Sequence, residues 1–334
     1  MERILITGLS ALVCFGFISV AKADEIIFQQ GQERIVYDSR TSEYVIEYIG
    51  NDGTLKTVRW TPATNIQVTV RSRFKQSGDR INYSYAINNH KNSLQPVLGF
   101  RVLIKGGIEK DLLAPGNWRA SVVKNYDDPT AGVWVSWTPN RTEYSLTPGA
   151  SLSGLDMVST ELPGAGMALA RGLMSVLTYP DEGPGGALIE FMEGGGFLKK
   201  ASEGVSRLAA VPRISVPSPY DDATVLTNIK KHLDTDLVSM KLVEPVLVSD
   251  LDRWLAAAIA AAKSGNSTAL TADIKELRKL LKREHEDVDK ENDGDGKDDD
   301  DKNKATKRQI DKLAARVLDF DLKYVERRVT GDKD

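Results

Sequence analysis

The spacing of apolar residues changes near Asp221, and this change divides the chain into two structural classes. From about residue 25 to residue 195, apolar and polar residues alternate in short runs, which is typical of half-buried β-strands. After Asp221, apolar residues recur at steps of three and four, which is typical of amphipathic helices. The sequence therefore predicts a β-rich N-terminal region followed by an all-α C-terminal region.

Turn residues separate the predicted strands of residues 24–211. Asn51-Asp52-Gly53 and Ser77-Gly78-Asp79 each lie between two alternating runs, where glycine tolerates a positive φ, so each predicts a β-hairpin. Because many such short strands follow one another with almost no helical periodicity, we expect an antiparallel β-sandwich. Residues 167–177 favour a closing strand, although a short apolar run also fits a helix.

Three amphipathic stripes predict helices within residues 222–334. The stripes consist of Leu247, Leu251, Trp254, Leu255 and Ile259, then of Leu270, Ile274, Leu277 and Leu281, and then of Ile310, Leu313, Val317 and Tyr324. Because one stripe must cover another, we expect a helical hairpin or a small bundle. Three prolines within residues 212–221 fix φ and remove backbone donors, which predicts an extended linker between the two regions.

Residues 1–23 have the pattern of a cleavable secretory signal peptide. A short basic start precedes an apolar run from Ile4 to Val20, and Ala21-Lys22-Ala23 places small residues before Asp24. We therefore expect cleavage between Ala23 and Asp24, with an uncleaved membrane anchor as the alternative. Cleavage removes the only cysteine, so the expected product is a secreted or periplasmic protein with no disulfide bond and no membrane span.

Residues 284–307 are almost wholly charged and polar, which predicts a disordered acidic insertion because little apolar surface offsets the entropy of ordering. Its carboxylates are also the oxygen ligands that Ca²⁺ prefers. Aligned on the first, third, fifth, seventh and twelfth positions of an EF-hand loop, the candidate ligands are Asp289, Glu291, Asp293, Asp295 and Asp300. The last is Asp where the motif has a bidentate Glu, so a solvated charge run remains the alternative.

Part of the helical region resembles a known family. From about Asp250 to Arg328, apolar and small residues recur at helical spacing around a small-residue turn. These residues are Leu255, Ala258, Gly265, Asn266, Ala269, Leu270, Ile274, Leu277, Ile310, Leu313, Ala314, Val317 and Leu318. The segment resembles the FIMAH-type regions, helical tails of some secreted bacterial proteins, and this resemblance implies an accessory module. The β-rich region has a general likeness to immunoglobulin-like sandwiches, without their paired cysteines.

No motif in the sequence combines a nucleophile with a base and an orienting group, so we expect no catalytic residue and, apart from Ca²⁺, no cofactor. The chain has three histidines. His90 follows a turn-like pair of asparagines, while His232 and His285 fall on polar helix faces, so we expect all three at the surface. The glycine-rich residues 183–186 and 194–196 lack the spacing of a phosphate-binding loop and predict hairpin turns.

Trp134 and Trp137 are candidates for stacking on a ligand such as a glycan ring. On one strand, residues at this spacing point to opposite faces, so we expect one of them in the core and the other at the surface. The net charge of −3 gives no basic footprint for nucleic acid.

The sequence favours a non-enzymatic binding, adhesion or accessory protein that meets a protein or glycan partner at the cell envelope. One alternative is a secreted hydrolase that cleaves polysaccharide with two carboxylates. A second alternative is a calcium-responsive structural module. No motif indicates the ligand or the oligomeric state.

Overall fold

A computed structural model describes residues 25–105, 111–124, 132–285 and 309–331, and the chain forms two compact units. The first unit contains the residues up to Thr61 together with Val176–Gly195. The second unit contains Pro62–Ser175 and the residues from Gly196 onward. Most of the predicted β-rich region and all of the described helical region therefore belong to the same unit.

The first unit is built on a four-stranded antiparallel sheet in which each strand pairs with its sequence neighbours. Its strands are β1 (Glu25–Gln30), β2 (Glu33–Asp38), β3 (Glu43–Ile49) and β4 (Leu55–Trp60). Gly53 lies between β3 and β4 with a φ of 74°, as the predicted hairpin turn requires. A short helix, α1 (Gly186–Ile189), continues into a π-helical turn at Glu190–Gly194.

Two antiparallel sheets form the β part of the second unit. Their strands are β5 (Val68–Ser77), β6 (Arg80–Asn89), β7 (Val97–Ile104), β8 (Trp118–Lys124), β9 (Val133–Pro139), β10 (Ser151–Ser159), β11 (Leu162–Gly172) and β12 (Val205–Ile214). The smaller sheet has the order β10-β6-β5, and the five-stranded sheet has the order β12-β11-β7-β9-β8. The turn predicted at Ser77-Gly78-Asp79 joins β5 to β6.

One apolar cluster contains the inward side chains of both sheets, which gives the unit a sandwich-like core. Its largest fully buried side chains include Tyr85 on β6, Phe100 on β7 and Trp137 on β9, whose ring centroids lie 5.6–5.8 Å apart. The Tyr85 hydroxyl donates a hydrogen bond to the carbonyl of Ala210 on β12 at 2.9 Å. This bond satisfies the buried phenol and connects the smaller sheet to the five-stranded sheet.

Five α-helices complete the described part of the second unit. They are α2 (Phe197–Glu203), α3 (Asp222–His232), α4 (Pro245–Lys263), α5 (Ser267–Glu284) and α6 (Lys312–Thr330). The side chains of Asp221 and Asn266 accept hydrogen bonds from the first turns of α3 and α5, which defines where these helices begin. Most buried apolar residues of α3 to α6 belong to the same apolar cluster as the sheets, so helices and sheets have a common core.

The predicted order of a β-rich region followed by helices is confirmed. The three predicted stripes lie on α4, α5 and α6, except that Ile310 precedes α6, and α3 was not predicted. The predicted linker at residues 212–221 begins inside a strand, because Pro212 pairs with Pro163 of β11. Since β12 is at the edge of its sheet, a residue without an N–H group is tolerated there.

The prediction of hairpin turns in the two glycine-rich stretches is wrong. Gly186 is the first residue of α1, and Gly196 precedes α2 in the left-handed conformation with a φ of 71°. The apolar residues beside these glycines are buried on helical turns, as Leu188 and Ala201 are, and this burial favours helices at both places.

The predicted surface position of His232 is also wrong, because this residue is buried. Its Nε2 accepts a hydrogen bond from the backbone N–H of Ala165 at 3.3 Å, so Nδ1 donates to Asp236 at 2.9 Å. Arg213 donates two further hydrogen bonds to Asp236. Burial alone would raise the pKa of Asp236, but the bonds from His232 and Arg213 lower it below its ordinary range. His232 therefore connects α3 to β11 and has no nitrogen left for chemistry.

His285 is likewise buried, at the residue that follows α5. Its Nε2 donates a hydrogen bond to the carbonyl of Ile310 at 2.8 Å, and the N–H of Gln309 donates to Glu284 at 3.0 Å. These two bonds hold the end of α5 beside the start of the segment that leads into α6. Residues 286–308, which contain most of the predicted acidic insertion, lie outside the described residues.

Asp321 on α6 is fully buried, and neither of its carboxylate oxygens has a hydrogen-bond partner among the described residues. Burial raises the pKa of this carboxyl well above its ordinary value of 3.8, and the charge of Asp319 raises it further. Asp319 is itself paired with Arg278 at 2.8 Å. The folded protein therefore favours the neutral form of Asp321.

We expect the substitution Asp321→Asn to reduce the pH dependence of stability. A carboxyl with a raised pKa in the folded state contributes its full stability below pH 3.8 and loses it as pH rises through the raised pKa. The asparagine variant does not titrate, so its free energy of unfolding should fall less than that of the wild-type protein between pH 4 and pH 8. Urea unfolding between pH 4 and pH 8 measures this difference. The exposed Asp111→Asn is the matched control, and equal pH profiles for all three proteins would contradict the expectation.

Candidate binding cleft on the five-stranded sheet

In the five-stranded sheet, successive residues of one strand point to opposite faces. On β9, Trp137 belongs to the main core, whereas Trp134 belongs to a separate small cluster on the opposite face with Leu103 and Leu169. The two tryptophans thus point to opposite faces, as their spacing predicts. Trp134 is nevertheless only 7% exposed, because Arg101 of β7 covers its ring with the guanidinium carbon 4.3 Å from the ring centroid.

The face that carries Trp134 has a cleft of about 350 Å³. Its lining comes from β7, β8, β9 and β11. The lining residues are Leu98, Gly99, Phe100, Arg101, Arg119, Val123, Trp134, Ser136, Thr138, Pro139 and Arg171. A volume of this size is at the lower end of the range for sites that hold small organic ligands.

A glycine makes room for the cleft between two long basic side chains. Strand pairing places Arg171 of β11 opposite Gly99 of β7, and Arg119 of β8 opposite Thr138 of β9. Since neighbouring strands are about 4.8 Å apart, the Cα atoms of the two arginines are separated by roughly 14 Å. Gly99 has no side chain to occupy the space between them. A Cβ atom at this position would meet Thr138 Cγ2 at 3.6 Å, an ordinary contact.

The cleft is rich in positive charge. Three arginines line it, and among the described residues no carboxylate does. Arg119 Nε donates a long hydrogen bond of 3.4 Å to the Thr138 hydroxyl. The Nε of Arg171 is buried and, within the described part of the chain, has no hydrogen-bond partner. A buried N–H group without an acceptor lowers the stability of the fold unless a ligand or water accepts from it. The arrangement therefore favours an anion.

The other residues singled out in the sequence do not join this cleft. The described residues contain no group of three or more His, Cys, Asp or Glu side chains that could hold a metal ion. The candidate Ca²⁺ ligands and the expected cleavage site at Ala23 and Asp24 lie outside the described residues. His90 contacts the Thr69 hydroxyl at 2.6 Å, away from the cleft lining.

Within the described ranges, no helix combines the length and the hydropathy needed to cross a membrane.

Sequence reasoning did not single out Arg101, Arg119 and Arg171. Each is an outward-facing charged residue of an alternating strand, which is an ordinary position for arginine. One feature of the sequence was informative: Arg101 lies between two large apolar residues, Phe100 and Val102, and both are buried in the core. The convergence of the three arginines depends on the strand order, which the spacing of residues along the chain does not reveal.

No protein-family model matches this chain, and no curated protein matches it. The likeness of residues 250–328 to FIMAH-type regions therefore stays a resemblance. The geometry of the cleft is accordingly the basis for any functional proposal.

The two tryptophans should differ in their contribution to stability. We expect Trp137→Ala to lower the free energy of unfolding by about 3–5 kcal/mol, since it opens a cavity in the main core. Trp134→Ala should cost less, because its ring lies outside the main core, in the small cluster with Leu103 and Leu169 and under the Arg101 side chain. Urea unfolding of both variants measures the difference. An equal or larger loss for Trp134→Ala would contradict this assignment of the two faces.

Proposed function

We propose that this chain is an exported, non-enzymatic binding protein that meets a partner at the cell envelope through the cleft on its five-stranded sheet. The observation that supports the proposal is the cleft itself, a concave site on a rigid sheet with three cationic side chains in its lining. The predicted signal peptide supports export to the periplasm or the cell exterior. The immunoglobulin-like type of sandwich and the helical hairpin remain predictions and are not needed for this function.

Binding explains this cleft better than hydrolysis does. A glycosidase places two carboxyl groups about 5–9.5 Å apart around the bond that it cleaves. The part of the lining that the structure describes contains no Asp or Glu, so these residues supply neither a general acid nor a nucleophile of that kind. Arginine, serine and threonine side chains instead provide hydrogen bonds that orient a ligand without reacting with it.

Gly99→Val tests whether the cleft is the binding site, because valine occupies the space between Arg171 and Arg119 and removes no arginine. Valine also suits a β-strand, and the nearest neighbours of a Cβ atom at residue 99 are at ordinary distances, so the variant should fold. We expect the wild-type chain to co-sediment saturably with envelopes isolated from its native cells, and Gly99→Val to reduce the affinity at least tenfold.

The matched control is Ser206→Val, which adds the same side chain to an exposed position of the edge strand β12. It should bind like the wild-type chain. Unchanged binding by Gly99→Val would exclude the cleft, and the absence of saturable binding by the wild-type chain would overturn the proposed function. Release of reducing sugar from the envelopes would favour the hydrolase instead.

A further inference from the structure

We propose that the cleft selects a small organic oxyanion, with its acidic group held between Arg171 and Arg119 above Gly99. This inference rests on the proposed function and adds the chemical class of the ligand. An acidic sugar residue, carrying a carboxylate or a phosphate ester on a carbon ring, has the required chemistry.

The charge of the cleft favours an acidic ligand. Arg171 and Arg119 form no ion pair with a carboxylate among the described residues. Arg171 lines the cleft, and its buried Nε has no hydrogen-bond partner among the described residues. A guanidinium group can bind two oxygens of a carboxylate or phosphate through parallel hydrogen bonds, which makes an oxyanion the matching acceptor.

The position of the two arginines is the second argument. They belong to the same cross-strand row, in which Gly99 and Thr138 lie between them. The side chains of β11 and β8 can therefore approach an acidic group from opposite sides. Ser136 and Thr138 add hydroxyls to the same lining, and these can donate to or accept from the hydroxyl groups of a sugar.

The apolar part of the lining is the third argument, because it favours an organic body over a bare ion. Leu98, Val123 and Pro139 line the cleft beside the arginines. A fully hydrated inorganic anion gains nothing from these side chains, whereas the carbon face of a ring removes them from water. A volume of about 350 Å³ accepts a body of that size in addition to the acidic group.

The experiment measures binding of defined probes by ligand-observed saturation-transfer NMR on the full chain. The probes are glucuronate and glucose 6-phosphate, with glucose as the neutral control and inorganic phosphate as the bare anion. We expect at least one acidic sugar to bind, glucose not to bind, and inorganic phosphate to compete only weakly. Rising salt should weaken the binding, since charges dominate it.

Substitutions then locate the acidic group. Arg171→Gln and Arg119→Gln should each weaken binding of the acidic sugar by about tenfold to a hundredfold, since each removes a charge-assisted hydrogen bond. Arg171→Lys keeps the charge, loses the planar fork, and should bind with intermediate affinity. Arg141→Gln is the matched control at an exposed position outside the cleft lining, and it should bind like the wild-type chain.

Three results with the wild-type chain would overturn the inference. These are equal binding of glucose and the acidic sugars, equal affinity for inorganic phosphate, and no binding of any acidic sugar. Each leaves the proposed function intact if envelope binding still depends on Gly99. If Gly99→Val also binds envelopes normally, the proposed function itself has failed. Acidic sugar binding that survives both glutamine substitutions would place the oxyanion elsewhere and would also overturn the inference.

Discussion

The same strands of the five-stranded sheet form both the apolar core and the arginine cleft, because successive residues of one strand point to opposite faces. On β7, Phe100 and Val102 are buried in the core while Arg101 points to the cleft. A shift of one residue in strand pairing would exchange the two sets and bury the arginine. The packing of large core side chains such as Trp137 therefore fixes the register, and the register positions the basic side chains.

The helices support the cleft through the side of β11 that faces the core. This strand carries Arg171 at one end, and α6 packs against it. Near its other end, His232 of α3 accepts a hydrogen bond from Ala165. Gly164 permits this approach, since a Cβ atom there would lie 2.9 Å from the imidazole. The helices are thus part of the scaffold of the sheet, and the common core makes the second unit a single structural element.

Local signals in the sequence account for much of the fold. Glycine turns predict the hairpins at Gly53 and Gly78, and the apolar stripes predict α4, α5 and α6, because both signals depend on residues close together in the chain. These local signals do not reveal which residues are buried by elements that are distant in sequence. His232 and His285 lie on polar stretches, yet β11 and the segment before α6 cover them. The cleft was missed for the same reason, since its arginines come from strands far apart in sequence.

The hydrogen bonds at the end of α5 have a consequence for the chain between α5 and α6. His285 and Glu284 bind the backbone on the far side of residues 286–308, so the helices hold the two ends of this connection together. In general, doubling the length of a loop raises the entropic cost of closing it by only about 0.6 kcal/mol. The end of α5 and the segment before α6 are therefore a point of the fold at which loops of different length and composition can be exchanged with little change in stability.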